Sequence, residues 1–193
     1  MDVLNNEFNF IRLTSSFFLT STVQVAESLI GHYLVHETAD GPMVGIVNEV
    51  EAYTQEDPAC HAFGGKQTKR NSPMFGEPGT LYIYFIYGMY FCLNIVTEEK
   101  GRGCAVLLRG CVPMLGMDVM RRNRSGISDK HLCNGPAKLV QAFGVPPTLN
   151  GCEMADSPLY VSQEKQDPKT ILKLPRVGIR KGCDLLWRFV GEF

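Results

Sequence analysis

The stretch LYIYFIYGMYFCLN, residues 81–94, decides the fold, because aromatic side chains fill six of its fourteen positions. Residues 81–86 and 90–96 are rich in the aromatic and β-branched side chains that favour strands. Gly88 lies between these two runs, where a glycine marks a tight reversal of the chain. The pattern therefore predicts a β-hairpin with residues 87–89 at its tip.

The side chains of this hairpin leave two interpretations open. In the first, the tip is exposed, so Tyr87 and Met89 direct large side chains toward solvent and need a binding partner to cover them. In the second, Tyr87 folds back onto the sheet. The strand period of two places Tyr82 and Tyr84 on one face. Asn94 lies in the otherwise apolar run YFCLNIV, so it must find hydrogen bonds or point into a site.

A second informative segment is VNEVEAY, which ends at Tyr53. Strand alternation places Glu49, Glu51 and Tyr53 on one face, with the two glutamate Cα atoms about 7 Å apart. One carboxylate can pair with Arg109, the only charge in CAVLLRG, while the other acts as a general base. Alternatively, both glutamates form salt bridges at the rim of the sheet. His61 taken alone is more often an ordinary polar residue than a catalytic group.

The rest of the chain indicates one mixed α and β domain over residues 1–193, with residues 1–16 loosely ordered. Its strands lie close together in sequence, so we expect mostly antiparallel pairing. Residues 54–80 are polar and rich in glycine and proline, which predicts a long functional loop. Further strands are predicted at residues 32–37, 43–53, 104–109, 159–162, 176–180 and 186–190, and helices at residues 23–30, 115–124 and 136–143.

Charge is distributed unevenly although the net charge is only −1. Residues 1–65 carry nine acidic residues and one basic residue, whereas residues 66–193 carry eighteen basic and eleven acidic residues. The basic side chains cluster in the runs KQTKR, RRNR and RVGIRK. Such runs permit a surface that faces phosphate groups, but charge runs of this kind are more often a solvated surface.

Cysteine usage and hydropathy restrict the class of protein. The seven cysteines are scattered and contain no C-x-x-C pair, so zinc-site spacing is absent and a reducing, intracellular compartment is expected. No apolar run reaches the roughly 18 residues that span a bilayer, and the first residues do not resemble a signal peptide. We therefore expect an intracellular protein with no membrane association.

Six segments together resemble one family: GIVNEVEAY, HAFGGKQTKRNSPMF, PGTLYIYFIYGMYFCLNI, AVLLR, NGPAKL and RVGI. In this order they are similar to the alkyladenine (3-methyladenine) DNA glycosylase family, monofunctional type, and the similarity extends from about Phe17 to Val190. The resemblance implies an α+β fold: a single domain with a curved, mostly antiparallel β-sheet, surrounding helices and a protruding aromatic β-hairpin. It also implies no cofactor, no metal and no lysine nucleophile.

The resemblance also implies roles for individual residues. Glu51 activates a water molecule and Arg109 supports it, while Tyr87, together with Met89, intercalates into the duplex. The base pocket is formed by Tyr53, His61, Tyr84 and Asn94. Contacts to the DNA backbone come from Lys66, Lys69, Arg70 and Lys138.

The implied function is excision of damaged purines from double-stranded DNA. This function implies a nuclear location in a eukaryote, or a cytoplasmic or nucleoid location in a bacterium. A monomeric enzyme flips an alkylated or deaminated purine out of the helix and hydrolyses its N-glycosidic bond, which leaves an abasic site. One alternative is a catalytically inactive protein of the same fold that binds damaged DNA. Another is a two-carboxylate sugar hydrolase built on Glu49 and Glu51, which leaves the hairpin tip and the basic runs unexplained.

Overall fold

The computed structural model describes residues 10–193. The strands are β1 (His32–His36), β2 (Met43–Tyr53), β3 (Leu81–Ile86), β4 (Tyr90–Val96), β5 (Ala105–Leu115), β6 (Leu159–Lys165), β7 (Thr170–Leu174) and β8 (Arg188–Glu192). The α-helices are α1 (Ser15–Phe18), α2 (Thr22–Leu29), α3 (Met117–Asn123) and α4 (Pro136–Ala142). Short 3-10 turns lie at Phe63–Gly65, Ser72–Phe75, Asp129–His131 and Pro147–Leu149.

The strands form one eight-stranded sheet in which every described pairing is antiparallel. Its main path runs β3-β4-β5-β2-β1-β6, and β8 joins β2 and β7 beside that path. This arrangement confirms the predicted α+β class with a mostly antiparallel sheet. Where the connection between sequential strands is short, as between β1 and β2 and between β3 and β4, antiparallel pairing is the expected outcome.

Strand β2 lies at the branch point of the sheet. Along one side it pairs with β5 over nearly its whole length; along the other it pairs first with β1 and then with β8. Glu51 is therefore flanked by Leu107 of β5 and Arg188 of β8. Because neighbouring strands flank this residue on both sides, its backbone is held rigidly. The direction of its side chain is therefore fixed as well.

The strand pattern of the hairpin divides the two faces of the sheet. Leu81 and Ile83 join the main hydrophobic core, which α2 and α4 cover. Tyr82 belongs to a second, smaller cluster on the opposite face, against which Tyr53 and Tyr84 pack. The period of two therefore holds, and it places the tyrosines on the face away from the main core.

One sequence-based prediction near the carboxyl end was wrong. Residues 176–180 were predicted as a strand, but they form bends, and the strand there is β7, which ends at Leu174. Pro175 lacks the N–H that a ladder needs, Gly178 has a left-handed backbone with a φ of 77°, and the amide of Val177 donates to a side chain. The strand expected at 186–190 begins two residues later, at Arg188.

The other elements follow the predictions with shifts at their ends. The helix predicted at 23–30 is capped by the Ser21 side chain and covers Thr22–Leu29, and β5 continues beyond the predicted 104–109 to Leu115. The predicted loop at residues 54–80 contains the first two 3-10 turns. Loose order was predicted for residues 1–16; residues 1–9 lie outside the described residues, and the amide of Leu13 donates to the Val161 carbonyl at 2.9 Å.

Candidate active site

A cleft of about 720 Å³ opens on the face of the sheet that carries the tyrosines. Its walls come from the end of β2, the 54–80 loop, the β3–β4 hairpin, β5 and the segment after β7. Seven of the residues implied by the family resemblance line it: Glu51, Tyr53, His61, Tyr84, Tyr87, Asn94 and Arg109. Segments far apart in the chain therefore meet in one cavity.

Glu51 is fully buried, and both of its carboxylate oxygens accept hydrogen bonds. The Tyr53 hydroxyl donates to Oε2 at 2.7 Å, and the Val177 amide donates to Oε1 at 2.7 Å. Arg109 Nε lies 3.5 Å from the same Oε1. Such a buried carboxylate with charged and polar donors is held in one orientation, as a group that must direct a water molecule requires.

Glu49 and Glu51 share one strand face but have different surroundings. Glu49 Oε1 lies 3.0 Å from Arg109 Nε and 3.0 Å from Arg188 Nη1, and it does not line the cleft. The sequence left open which glutamate pairs with Arg109. The structure shows that Arg109 contacts both glutamates and bridges them.

Tyr53 stands two residues after Glu51 and lines the same cleft. Burial raises the pKa of its phenol well above the ordinary value, and the Glu51 carboxylate raises it further. The phenol therefore stays protonated and can keep donating to Glu51 over the whole physiological pH range.

An aromatic wall closes the opposite side of the cleft. His61 packs edge-on against Tyr84, with ring centroids 4.7 Å apart, and its Nδ1 lies 3.0 Å from the Tyr82 hydroxyl. Arg70 places its guanidinium 5.1 Å from the centroid of the Tyr84 ring. His61 is exposed overall, but desolvation of its ring, followed by the Arg70 cation, lowers its pKa, so the imidazole is neutral near pH 7.

The tyrosines of this wall are held in their neutral form. Burial raises the pKa of Tyr82 to about 12, and it raises the pKa of Tyr84 well above the ordinary value. Neutral phenol rings present an electron-rich face, which attracts electron-poor or cationic rings. The wall is therefore suited to a planar, positively polarised ligand.

Asn94 lies at the base of the hairpin and is buried. Its Nδ2 donates to the Tyr82 carbonyl at 2.9 Å, which fixes the orientation of the amide beside the cleft. This bond within the hairpin satisfies part of the hydrogen-bonding capacity of the amide, as a polar side chain buried in an apolar strand requires.

The hairpin tip is exposed, and the Tyr87 ring does not fold back onto the sheet. Tyr87 keeps 86% of its surface open to solvent and lines the rim of the cleft. Met89 keeps 64% of its surface open and does not line the cleft. The backbone φ of Tyr87 is 53°, a left-handed conformation that side chains with a Cβ rarely adopt.

The four basic residues implied by the resemblance differ in their positions. Lys66, Lys69 and Arg70 are exposed on the loop that also carries His61. Lys138 is half-buried and donates to Asn134 Oδ1 at 2.9 Å; it does not line the cleft. None of the four lines the cleft itself, and three of them lie on the loop that forms one of its walls.

Residues 177–181 form a wall of the cleft that the sequence-based reasoning missed. The exposed side chains of Arg180 and Lys181 stand there, and they form no ion pair within residues 10–193. The basic run RVGIRK was a usable signal for these cations. No local pattern indicated that Val177 donates to a glutamate 126 positions earlier in the chain.

The arrangement offers the groups that hydrolysis of a bound substrate requires. These are a buried, oriented carboxylate, an adjacent arginine, an aromatic slot and a large exposed ring at the rim. Among residues 10–193, no three His, Cys, Asp or Glu side chains gather closely enough to hold a metal ion. Over the same residues, no helix combines the length and apolarity of a membrane span.

Comparisons with known proteins agree with this geometry. Residues 16–192 match the family described as Methylpurine-DNA glycosylase (MPG). A relative from Rhodopseudomonas palustris, named "Putative 3-methyladenine DNA glycosylase", is 45% identical over 178 residues, which are 92% of this chain and 86% of the relative. Proteins of the same name from Carboxydothermus hydrogenoformans and Methanoculleus marisnigri are both 42% identical, over 92% of this chain and 93% of each relative. The chain therefore belongs to the methylpurine-DNA glycosylase family.

Proposed function

We propose that this protein is a monofunctional DNA glycosylase that removes alkylated or deaminated purines from double-stranded DNA. It rotates the damaged nucleotide out of the helix into the cleft and hydrolyses the N-glycosidic bond, which leaves an abasic site. The observation that carries the proposal is the position of Glu51. This oriented carboxylate lies in the same cleft as the aromatic wall, and an exposed tyrosine stands at the rim.

The aromatic slot supports a purine as the ligand. The rings of Tyr53 and Tyr84 with His61 surround a space that an extruded base can enter. Alkylated purines are electron-poor, and some are cationic, so neutral tyrosine faces bind them well. Damage that weakens base pairing also lowers the cost of extrusion, which is a few kcal/mol for an intact pair.

Glu51 and Arg109 support the chemical step. Cleavage of the glycosidic bond develops positive charge on the sugar, and a nearby carboxylate stabilises that charge while it accepts a proton from water. In this role Arg109 fixes the orientation of the carboxylate through its contacts with both glutamates. The oriented pair needs no covalent intermediate.

Exposed cations support binding to the phosphate backbone. Lys66, Lys69 and Arg70 lie on the 54–80 loop, part of which lines the cleft, and Arg180 and Lys181 line the cleft itself. Several cations elsewhere, such as those of Arg102 and Arg121, are neutralised by carboxylates. Exposed cations in and near the cleft are suited to hold the phosphates that flank an extruded nucleotide.

The sugar-hydrolase alternative requires two carboxylates at the substrate, and only one of the two glutamates is available for that role. Glu49 pairs with Arg109 and Arg188 and lies outside the cleft, so of the two glutamates only Glu51 lines it. A hydrolase with paired carboxylates needs both groups on the scissile bond.

The test is the Glu51→Gln variant, assayed on duplexes that each carry one damaged purine. Loss of the general base should lower single-turnover base release by about 10²- to 10⁴-fold, while binding to a duplex with an abasic analogue persists. Glu56→Gln is the matched control, because Glu56 is exposed and pairs with Arg102. Base release by Glu51→Gln at the wild-type rate would refute the catalytic assignment. A wild-type protein that binds the abasic duplex but releases no base from any substrate would instead be an inactive damage-binding protein.

A further inference from the structure

A buried ion pair lies behind the cleft, between Arg176 and Asp57. Both side chains are fully removed from solvent, and Arg176 Nη1 donates to Asp57 Oδ2. Neither residue lines the cleft. Replacing a buried ion pair by apolar residues is often neutral or stabilising, so stability alone gives a weak reason for this pair.

Arg176 makes four further contacts around the pair. Its Nη1 also donates to the Ala52 carbonyl at 2.8 Å, and its Nη2 donates to the Gly182 carbonyl at 3.3 Å. The guanidinium carbon lies 4.7 Å from the centroid of the Tyr53 ring and 5.2 Å from that of Trp187. One planar group therefore contacts the end of β2 and the segment between β7 and β8, and through Asp57 it also contacts the 54–80 loop.

Three connections lead from Arg176 to Glu51. Ala52, whose carbonyl accepts from the guanidinium, is the next residue in the chain after Glu51. Tyr53, whose ring lies against the guanidinium, donates its hydroxyl to Glu51. Val177 follows Arg176 and donates its amide to the other oxygen of Glu51. Arg176 thus holds both uncharged donors that orient the carboxylate. It stacks on the ring of Tyr53, and it is joined to Val177 by the peptide bond.

Arg176 also closes the 177–181 segment onto the protein. Its contact with the Gly182 carbonyl joins the two ends of this segment, which carries Arg180 and Lys181 at the cleft. The packing is tight at the closing point, where a Cβ on Gly182 would lie 2.9 Å from Asp57 Oδ1 and 3.1 Å from Arg176 Nη2. The φ of Gly182 is also positive, at 62°, which favours glycine.

We propose that Arg176, fixed by Asp57, is a positioning residue for Glu51. It holds the Tyr53 ring and the Val177 amide where they orient the carboxylate toward the sugar. This inference rests on the proposed glycosylase function. The planar fork of arginine presents N–H groups in a fixed geometry and also stacks on rings, whereas the single ammonium of lysine can meet only part of this set.

The test compares Arg176→Lys with the double variant Arg176→Met/Asp57→Asn. The double variant removes both charges together, so no unpaired charge stays buried. The asparagine amide in that variant retains an oxygen that can accept from the Ala59 amide, as the Asp57 carboxylate does at 3.0 Å. Single-turnover base release should fall about 10- to 100-fold in the double variant, because small misplacements of catalytic groups cost this much. Arg176→Lys should recover part of the loss.

Two controls separate positioning from general structural weakening. Rates are compared at saturating protein, so that any DNA affinity lost through Arg180 and Lys181 does not lower them, and they are measured well below the melting temperature of each variant. Arg12→Met is the matched control. Arg12 also stacks on a tyrosine, donates to two carbonyls and pairs with a carboxylate, but it lies outside the cleft. Its loss should lower the melting temperature without changing base release.

Each possible outcome either supports or overturns the positioning role of Arg176. Wild-type release rates in the two Arg176 variants overturn the proposal, and so does an equal loss of rate in Arg12→Met. A loss of rate that disappears at saturating protein assigns Arg176 to binding and also overturns it. If the double variant does not fold, the rate of Arg176→Lys at saturating protein decides alone. If wild type itself releases no base, the proposed function fails first, and this inference fails with it.

Discussion

The strained tip of the aromatic hairpin allows stability and activity to be separated by one substitution, Tyr87→Asn. Tyr87 and Gly88 have φ values of 53° and 70°, and the Met89 amide donates to the Ile86 carbonyl at 3.3 Å. Positive φ at both central residues is what a type I′ turn requires, and Asn-Gly is the sequence that such turns prefer. Tyrosine is an unfavourable choice for this backbone.

We expect Tyr87→Asn to stabilise the folded protein. The exposed tyrosine ring gives up almost no packing when it is removed, because 86% of its surface is open. A side chain with a Cβ costs about 1–2 kcal/mol in the left-handed region, and asparagine tolerates that region better. A gain of about 1 kcal/mol raises the melting temperature of a domain of this size by about 2–4 °C.

The same substitution should weaken activity on duplex DNA. Base–aromatic stacking contributes about 1–3 kcal/mol, and this is the energy with which the Tyr87 ring would replace an extruded base. Because about 1.4 kcal/mol corresponds to a factor of ten, base release from duplex should fall about 5- to 150-fold. Release from a single strand should change little, since no stacked gap has to be filled there.

The assay is single-turnover base release on matched duplex and single-stranded substrates, together with thermal unfolding. Tyr87→Phe is the control, because it keeps the ring and the strained backbone and should retain activity on duplex. The salt dependence of binding should stay unchanged in both variants, since the phosphate contacts are intact. If Tyr87→Asn excises from duplex as fast as wild type, or loses equal activity on both substrates, the intercalation role of Tyr87 is wrong.

Further predictions concern charge and pH. Burial lowers the pKa of His32 and His36 in the folded protein. As the pH falls below about 6.5, the unfolded state therefore binds protons before the folded state does. The free energy of unfolding should then decrease by up to about 1.4 kcal/mol per pH unit for each histidine. Urea titrations between pH values of about 5 and 8 measure this slope, and the same slope in His36→Gln as in wild type would contradict the assignment for His36. Arg180→Met and Lys181→Met should each reduce the slope of log K for duplex binding against log salt concentration by about one, with little dependence on DNA sequence. Unchanged slopes in titrations with increasing salt would show that neither residue contacts phosphate.

The local sequence patterns predicted the parts of the site that lie within single elements. Alternation along β2 placed Glu51 and Tyr53 on one face, and the structure joins them by a 2.7 Å hydrogen bond. The glycine inside the aromatic run located the hairpin, whose strands are Leu81–Ile86 and Tyr90–Val96. Such predictions succeed because the side-chain period of a strand is fixed by backbone geometry, whatever the rest of the fold is.

The wall after β7 could not be predicted in the same way. The run at residues 176–180 has the branched and charged side chains of an edge strand, but its amide at Val177 and its side chain at Arg176 bind groups more than 100 positions earlier in the chain. Hydrogen bonds to distant partners replaced the ladder that the local pattern favours. Tertiary contacts of this kind routinely override local propensity.

The sequence by itself determined the hairpin, the shared face of the two glutamates and, through six ordered segments, the family. Only the tertiary structure decided which glutamate faces the cleft and what holds it there. Glu49 and Glu51 are equivalent in the strand period, yet Glu49 is occupied by Arg109 and Arg188, while Glu51 is oriented by Tyr53 and by an amide 126 positions away. The physical reason is that strand geometry fixes only which face a side chain takes. Its burial and its donors depend on which distant segments pack against that face.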